Sequence, residues 1–315
     1  MAVFTPLDDA QVADFLTRFE AGSLTGLKGV ASGTENTTYF VTTDSRELVL
    51  TLFEQGEHEE LPFFVDLLDY LDEHRLPVPG PLHDRDGVAL QSLAGKPALL
   101  FPRLPGKHPS APSTAQCSAL GDALGHMHAV SRHFEGQRPN PRDLHWLVPM
   151  HHRVLAYLSP EDQTLMSDEI DAYQVFFGDA PDLPQGAIHG DLFRDNTLFD
   201  GERLGGLIDF YNGCTGDLLF DLAIVINDWA TDDDGRLNKE RHDAILSAYQ
   251  ARRTLTSNER DAWPMMLRMT ALRYWLSRLL VVYVDPPAHD LTPHDPERFR
   301  TILGQRLEGA LPLPA

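Results

Sequence analysis

The residues with the clearest chemical potential stand close together: His189-Gly190-Asp191-Leu192-Phe193-Arg194-Asp195-Asn196, then Asp209 in Leu207-Ile208-Asp209-Phe210. A carboxylate, a carboxamide and a second carboxylate in this order suit phosphoryl transfer. In that chemistry one carboxylate accepts or orients the proton of an attacking hydroxyl, while an amide oxygen and another carboxylate hold Mg²⁺ against nucleotide phosphates. The assignment is Asp191 as base, with Asn196 and Asp209 as metal ligands. Arg194 sits inside the loop, where its guanidinium either reaches a transferring phosphoryl group or a substrate carboxylate, or forms a surface pair with Asp195 or Asp200. His189 reads as a structural brace, since Asp191 already serves the proton. Taken alone, the loop also fits an Asx-turn cluster before a strand; Asp209 and the flanking apolar pieces favour the chemical reading.

These side chains need a scaffold, and the flanking texture suggests one. Short apolar pieces, Ala187-Ile188, Thr197-Leu198-Phe199 and Gly206-Leu207-Ile208, alternate with turns, which is the grain of small strands presenting loop residues. Elsewhere in the second part of the chain, apolar residues recur at helical spacing over 113–131, 143–158, 160–177, 239–252 and 257–284. The first hundred residues differ. A short helix over 8–19, capped by Asp8 or Asp9, precedes a hairpin of 37–43 and 47–53 joined at Asp44-Ser45. A helix over 59–74 stops before Leu76-Pro77-Val78-Pro79-Gly80-Pro81, and short strands follow at 88–92 and 97–101. The expectation is an α+β protein with a small sheet lobe over 1–101, a hinge over 102–106 (Pro102-Arg103-Leu104-Pro105-Gly106) and a helical lobe over 107–315 carrying the loop.

The 315 residues are about twice the usual size of one domain, again favouring two lobes around a cleft. Asp and Glu number 47 against 26 Lys and Arg, a formal charge of -21, so binding to nucleic acid or to a membrane surface is not expected. Cys117 and Cys214 are too few for a disulfide framework and form no CxxC pair, which leaves buried thiols as the default. With neither a signal segment nor a membrane span in view, a cytoplasmic location is expected. The grouped histidines His126, His128 and His133, and the pair His151-His152, fit polar helical positions better than zinc ligation, and none matches H-E-x-x-H.

Asp191 and Asn196 match the Asp and Asn of the kinase loop H-R-D-x-x-x-x-N, and Asp209 follows an apolar pair as the D-F-G aspartate does. With His189-Gly190-Asp191 and Asn196, the chain resembles the aminoglycoside phosphotransferase and choline kinase-like superfamily, whose loop reads H-G-D-x-x-x-x-N. Within it the chain looks like the bacterial homoserine kinases. Segments in both halves carry that likeness: Ser32-Gly33-Thr34-Glu35-Asn36, Val49-Leu50-Thr51-Leu52-Phe53-Glu54, Glu60-Leu61-Pro62-Phe63-Phe64, Asp221-Leu222-Ala223-Ile224, Asn227-Asp228-Trp229 and Ala271-Leu272-Arg273-Tyr274-Trp275-Leu276-Ser277-Arg278-Leu279. The resemblance implies a two-lobed protein-kinase-like fold, with a small antiparallel-sheet N-lobe and a mainly helical C-lobe. It also implies ATP as phosphoryl donor, Mg²⁺ as cofactor and L-homoserine as acceptor, a step of threonine biosynthesis.

On that likeness, Ser32, Gly33, Thr34 and Asn36 occupy the place of a phosphate-covering loop, with an ordinary hairpin loop as the other reading. The strand position that carries a phosphate-binding lysine in most kinases is Thr51 here, and no lysine stands between Gly29 and Gly95. A homoserine zwitterion calls for a cation at its carboxylate and an anion at its ammonium. Asp228, beside Trp229, is the candidate anion; Arg278 with Trp275, or Arg273, supplies the cation. Against these stands the plainer reading of a helix cap and surface ion pairs. Other acceptors stay open: choline, methylthioribose, hydroxylysine or an aminoglycoside. A catalytically silent kinase-fold regulatory module is a further alternative, motivated by Thr51.

Overall fold

Alternating apolar residues build the sheet of the first unit. In the computed structural model, which describes residues 3–30, 36–54, 58–178, 181–286 and 293–314, strands β1 (Leu24–Gly29), β2 (Asn36–Thr43), β3 (Glu47–Phe53), β4 (Gln91–Leu93) and β5 (Lys96–Pro102) form one sheet in the order β1-β2-β3-β5-β4. Every pairing is antiparallel. Helix α1 (Asp9–Leu16) begins with a capping box, in which Asp8 accepts from the Gln11 N–H and the Gln11 side chain answers to Asp8. Its Val12, Phe15 and Leu16 join Tyr39, Val41, Leu48, Leu50, Leu52, Ala98 and Leu100 in one apolar core. Because side chains alternate along a strand, Thr51 belongs to the other face of β3, opposite Thr38 of β2 and Leu99 of β5. The tight β4–β5 hairpin turns on Ala94 and Gly95, both at positive φ (51° and 76°), as a two-residue turn of twisted strands demands. Helix α2 (Leu61–Glu73) completes this part, with Pro62 in its first turn.

The chain divides into two units, Met1–Pro105 with Gly206–Ile208, and Gly106–Gly205 with Asp209–Ala315. The second is helical: α3 (Thr114–Ser131), α4 (Leu144–Val154), α5 (Pro160–Gly178), α6 (Leu218–Trp229), α7 (Lys239–Arg252), α8 (Ser257–Leu279) and α9 (Glu297–Glu308). Two small strand pairs punctuate it, β6 (Gln185–Ile188) with β9 (Cys214–Asp217), and β7 (Thr197–Asp200) with β8 (Arg203–Leu207). Helices α3 and α7 pack with backbones close together, since a Cβ on Gly121 would lie 2.3 Å from the Ile245 carbonyl oxygen and one on Gly125 2.7 Å from that of Tyr249. Among the described residues no helix is long and apolar enough to cross a membrane.

Several elements depart from the sequence expectation. Helix α6, buried at every residue, is absent from the helices expected from the sequence. Helix α8 stops at Leu279, and the expected extension to Val284 is a π-helical turn, Leu280–Val284. Strand β4 covers Gln91–Leu93 rather than 88–92, and β1 lies in a stretch whose small residues hid it.

Candidate active site

Strand β6 delivers the chain to the loop, and Gly190 makes the turn. Its φ is +74°, and a Cβ there would fall 2.6 Å from the Asn212 carbonyl oxygen, so only glycine fits. The backbone N–H groups of His189 and Gly190 donate to the two carboxylate oxygens of Asp221 at 2.6 and 2.7 Å. Asp221 lies on α6 with no exposed surface. A third partner is His128 of α3, whose Nε2 stands 3.3 Å from Asp221 Oδ2.

The far end of that contact fixes the tautomer. Tyr249 Oη accepts from Arg253 Nε at 2.8 Å, so its own proton goes to His128 Nδ1, also at 2.8 Å. Nε2 therefore carries the imidazole proton and donates it to Asp221. Burial pushes the His128 pKa below its ordinary value and keeps the ring neutral. Burial works against the charge on Asp221 too, but the His128 side chain and the His189 N–H outweigh it and hold the carboxyl below its usual range. Arg253 is in turn paired with buried Glu259, the capping residue of α8. A buried polar chain thus runs from the start of α8 through α7 and α3 to the backbone of the loop. His189 itself lies buried against the Phe210 ring, 4.4 Å between centroids.

Asp191 sits at the partly exposed end of this construction. Tyr274 Oη of α8 donates to its Oδ1 at 2.8 Å and also lies 2.9 Å from the Gly190 carbonyl oxygen. Asn196 Nδ2 donates to the Asp191 backbone oxygen at 2.8 Å and to Oδ2 at 3.2 Å. Arg273 Nη1 is 3.6 Å from Oδ1, and its guanidinium rests on the Tyr274 ring, 3.9 Å from the centroid. Burial first, and the Asp191 charge with it, raise the Tyr274 pKa far above its ordinary value, against the opposing pull of Arg273, so the phenol remains a donor. With Nδ2 of Asn196 committed to Asp191, Oδ1 is the atom left to ligate a cation. Asp209 follows β8 in the left-handed region, φ 66° and ψ 58°, and is exposed. Asp tolerates that conformation better than most residues, and such backbone strain clusters at functional sites.

The remaining expected site residues fall differently. Arg194 does not pair with Asp195 or Asp200. Its backbone N–H and Nε donate to Asp228 Oδ2 at 2.9 and 3.1 Å, and Nη2 donates to Oδ1 at 3.1 Å. Asp228 is 5% exposed with both oxygens engaged, so in this structure it braces the loop rather than offering an anion to an ammonium group. Trp229 and Trp275 are interior, the former against Phe199, and neither presents ring surface to a ligand. Arg278 lies over the Phe299 ring of α9 at 4.6 Å. In the first unit, Asn36 opens β2 and Thr51 is buried in β3. Ser32, Gly33 and Thr34 lie outside the described residues. Sequence reasoning missed Tyr274 and Arg298, the first because it sits in an apolar helical stripe, the second because α9 was not expected.

The fold and loop define a phosphotransferase. The chain belongs to the phosphotransferase enzyme family, whose model matches residues 26–255. It is 44% identical over 314 residues to a homoserine kinase of Pseudomonas aeruginosa, covering 100% of this chain and 99% of that protein. A homoserine kinase of Methylobacillus flagellatus is 43% identical over 304 residues, 96% of this chain and 94% of its own. Among solved structures, amicoumacin kinase in complex with AMP-PNP, Ca²⁺ and its antibiotic superposes with a TM-score of 0.68 at 18% identity, over 96% of this chain and 93% of that one. At that identity the likeness establishes the kinase-like fold.

Proposed function

We infer that the chain is a homoserine kinase, transferring the γ-phosphate of ATP to the side-chain hydroxyl of L-homoserine. The observation that carries this choice among phosphotransferases is the set of guanidinium groups that meet the two carboxylates of the loop and its brace, Asp191 and Asp228. Arg273 stands 3.6 Å from Asp191 Oδ1, and Arg298 reaches within 3.6 Å of the loop brace Asp228. In a chain of net charge -21 such a concentration of guanidinium groups suits a carboxylate-bearing acceptor. It disfavours a polycationic aminoglycoside, which needs an acidic groove, and choline, which needs an aromatic cage.

Asp191 takes the proton of the attacking hydroxyl. Tyr274 and Asn196 bond its two oxygens separately, so the carboxylate is fixed in rotation before substrate arrives. Asn196 Oδ1 and the Asp209 carboxylate are hard oxygen donors of the kind Mg²⁺ prefers, and they would hold it. That ion, when bound, neutralises charge on the nucleotide phosphates. The backbone brace from Asp221 keeps the loop in register throughout.

A coupled ADP-release assay with ATP and Mg²⁺ tests the acceptor, using L-homoserine, L-serine, L-threonine, choline, methylthioribose and an aminoglycoside. L-Homoserine is expected to give the highest kcat/KM by at least about tenfold. Equal or better turnover of another acceptor would overturn the reading, and no turnover of any would favour a silent module.

A further inference from the structure

Resting on the homoserine kinase reading, we propose that Arg278 of α8 and Arg298 of α9 form the subsite for the substrate α-carboxylate and set the preference for an amino acid over an amino alcohol. Arg194 and Arg298 both meet one buried carboxylate, Asp228, whose charge also reaches Arg278. Arg194 already claims both Asp228 oxygens. Arg298 reaches Oδ1 only at 3.6 Å, and its Nη2 is buried without a hydrogen bond among the described residues. Arg278 gives Nη1 to the backbone oxygen of Asp295 at 2.8 Å and meets no carboxylate within ion-pair distance among the described residues. The Asp295 carboxylate is turned to the Glu297 N–H instead. Burial first, and the neighbouring Arg298 charge second, draw the Arg278 pKa down to about 10, with Asp228, Asp295 and Tyr274 opposing.

The charge of Arg298 acts against that of Arg278, and a buried donor without an acceptor costs stability. A carboxylate placed between them relieves both, and the planar fork of arginine fits it in a bidentate manner. Reach is consistent as well. Tyr274 bonds Asp191, and Arg278 lies one helical turn further along α8, about 5.4 Å, with side chains on that helix leaning back toward its N-terminus. The three-carbon stem of homoserine spans a comparable distance between hydroxyl and carboxylate, roughly 5 Å. Phe299, the residue after Arg298, carries Arg278 over its ring and lies tilted against Tyr274 at 5.3 Å between centroids.

The test compares L-homoserine with its amide and with 3-amino-1-propanol, which keep the hydroxyl and lack the charged carboxylate. The wild-type enzyme is expected to show a KM for L-homoserine about 10- to 100-fold below that for either analogue. Arg278→Gln and Arg298→Gln should each raise the KM for L-homoserine by about that factor and narrow the preference over 3-amino-1-propanol equally, with Arg278→Lys restoring part of it. If Arg278→Gln fails to fold, the Arg298→Gln variant and the wild-type analogue comparison carry the same test. Variants that slow all three acceptors alike, or leave the preference intact, would overturn the subsite. A wild-type enzyme that ignores L-homoserine would overturn the homoserine kinase reading itself.

Discussion

Around residues 189–196 the loop is held by buried charged partners, Asp221 on the His189 and Gly190 N–H groups and Asp228 on Arg194. Strand β3 of the first unit is built in the opposite way. Its core face is Leu48, Leu50 and Leu52, its other face carries the neutral Thr51, and its ion pairs, Glu47 with Arg103 at 3.3 Å and Glu54 with Lys96 at 3.4 Å, lie at the two ends of the strand. The resemblance to kinases leads one to expect a phosphate-binding lysine on this strand, and Thr51 there is uncharged and buried in the sheet. Guanidinium groups instead collect in the second unit, at Arg194, Arg273, Arg278 and Arg298. The fixed charges around the loop thus belong to the second unit, while β3 of the first is neutral at Thr51.

If that contrast is right, the loop braces are the sensitive part. Asp221→Ala leaves two backbone donors and His128 without their acceptor, and is expected to cost about 3–5 kcal/mol in urea unfolding. An unchanged midpoint would break the comparison. The same brace gives stability a pH dependence. The folded pKa of Asp221 is lowered, so its contribution is full above the unfolded value of 3.8 and is lost as pH falls through the folded value. The folded pKa of His128 is lowered too, so stability begins to erode below 6.5, where the unfolded chain takes up a proton and the folded one resists. His128→Gln should be less stable at neutral pH yet flatter between that value and the carboxylate range.

A smaller effect is expected from Tyr274→Phe, which removes one bond to Asp191 without disturbing the ring contacts with Phe193 and Phe299. Steady-state kinetics should show kcat reduced about tenfold with little change in the KM for ATP. A KM effect alone would make Tyr274 a binding rather than a positioning residue. The smallest effect belongs to β3. Thr51→Val should change the KM for ATP by less than about threefold, and a rise of tenfold or more would locate a phosphate contact on the strand and erase the contrast.

The local geometry of the loop was legible in the sequence, because Asp191 and Asn196 are close in the chain and bond each other and the loop carries its own glycine at the positive-φ turn. The amphipathic helices were legible for the same local reason. What the sequence hid is long-range. Arg194 meets Asp228 across 34 positions, Tyr274 meets Asp191 across 83, and His128 meets Asp221 across 93. No local pattern announces such pairs. Asp228 reads in the sequence as an anion free for substrate because nothing near it in the chain announces that Arg194 occupies both its oxygens.

The proposed role of Asp191 as proton acceptor of phosphoryl transfer is tested most directly by Asp191→Asn, because the change keeps shape while removing the base. Measured together, kcat with L-homoserine should fall by at least about two orders of magnitude while the Kd for ATP with Mg²⁺ stays within about threefold of wild type. Turnover within about threefold of wild type would contradict the assignment and move the chemistry away from the loop.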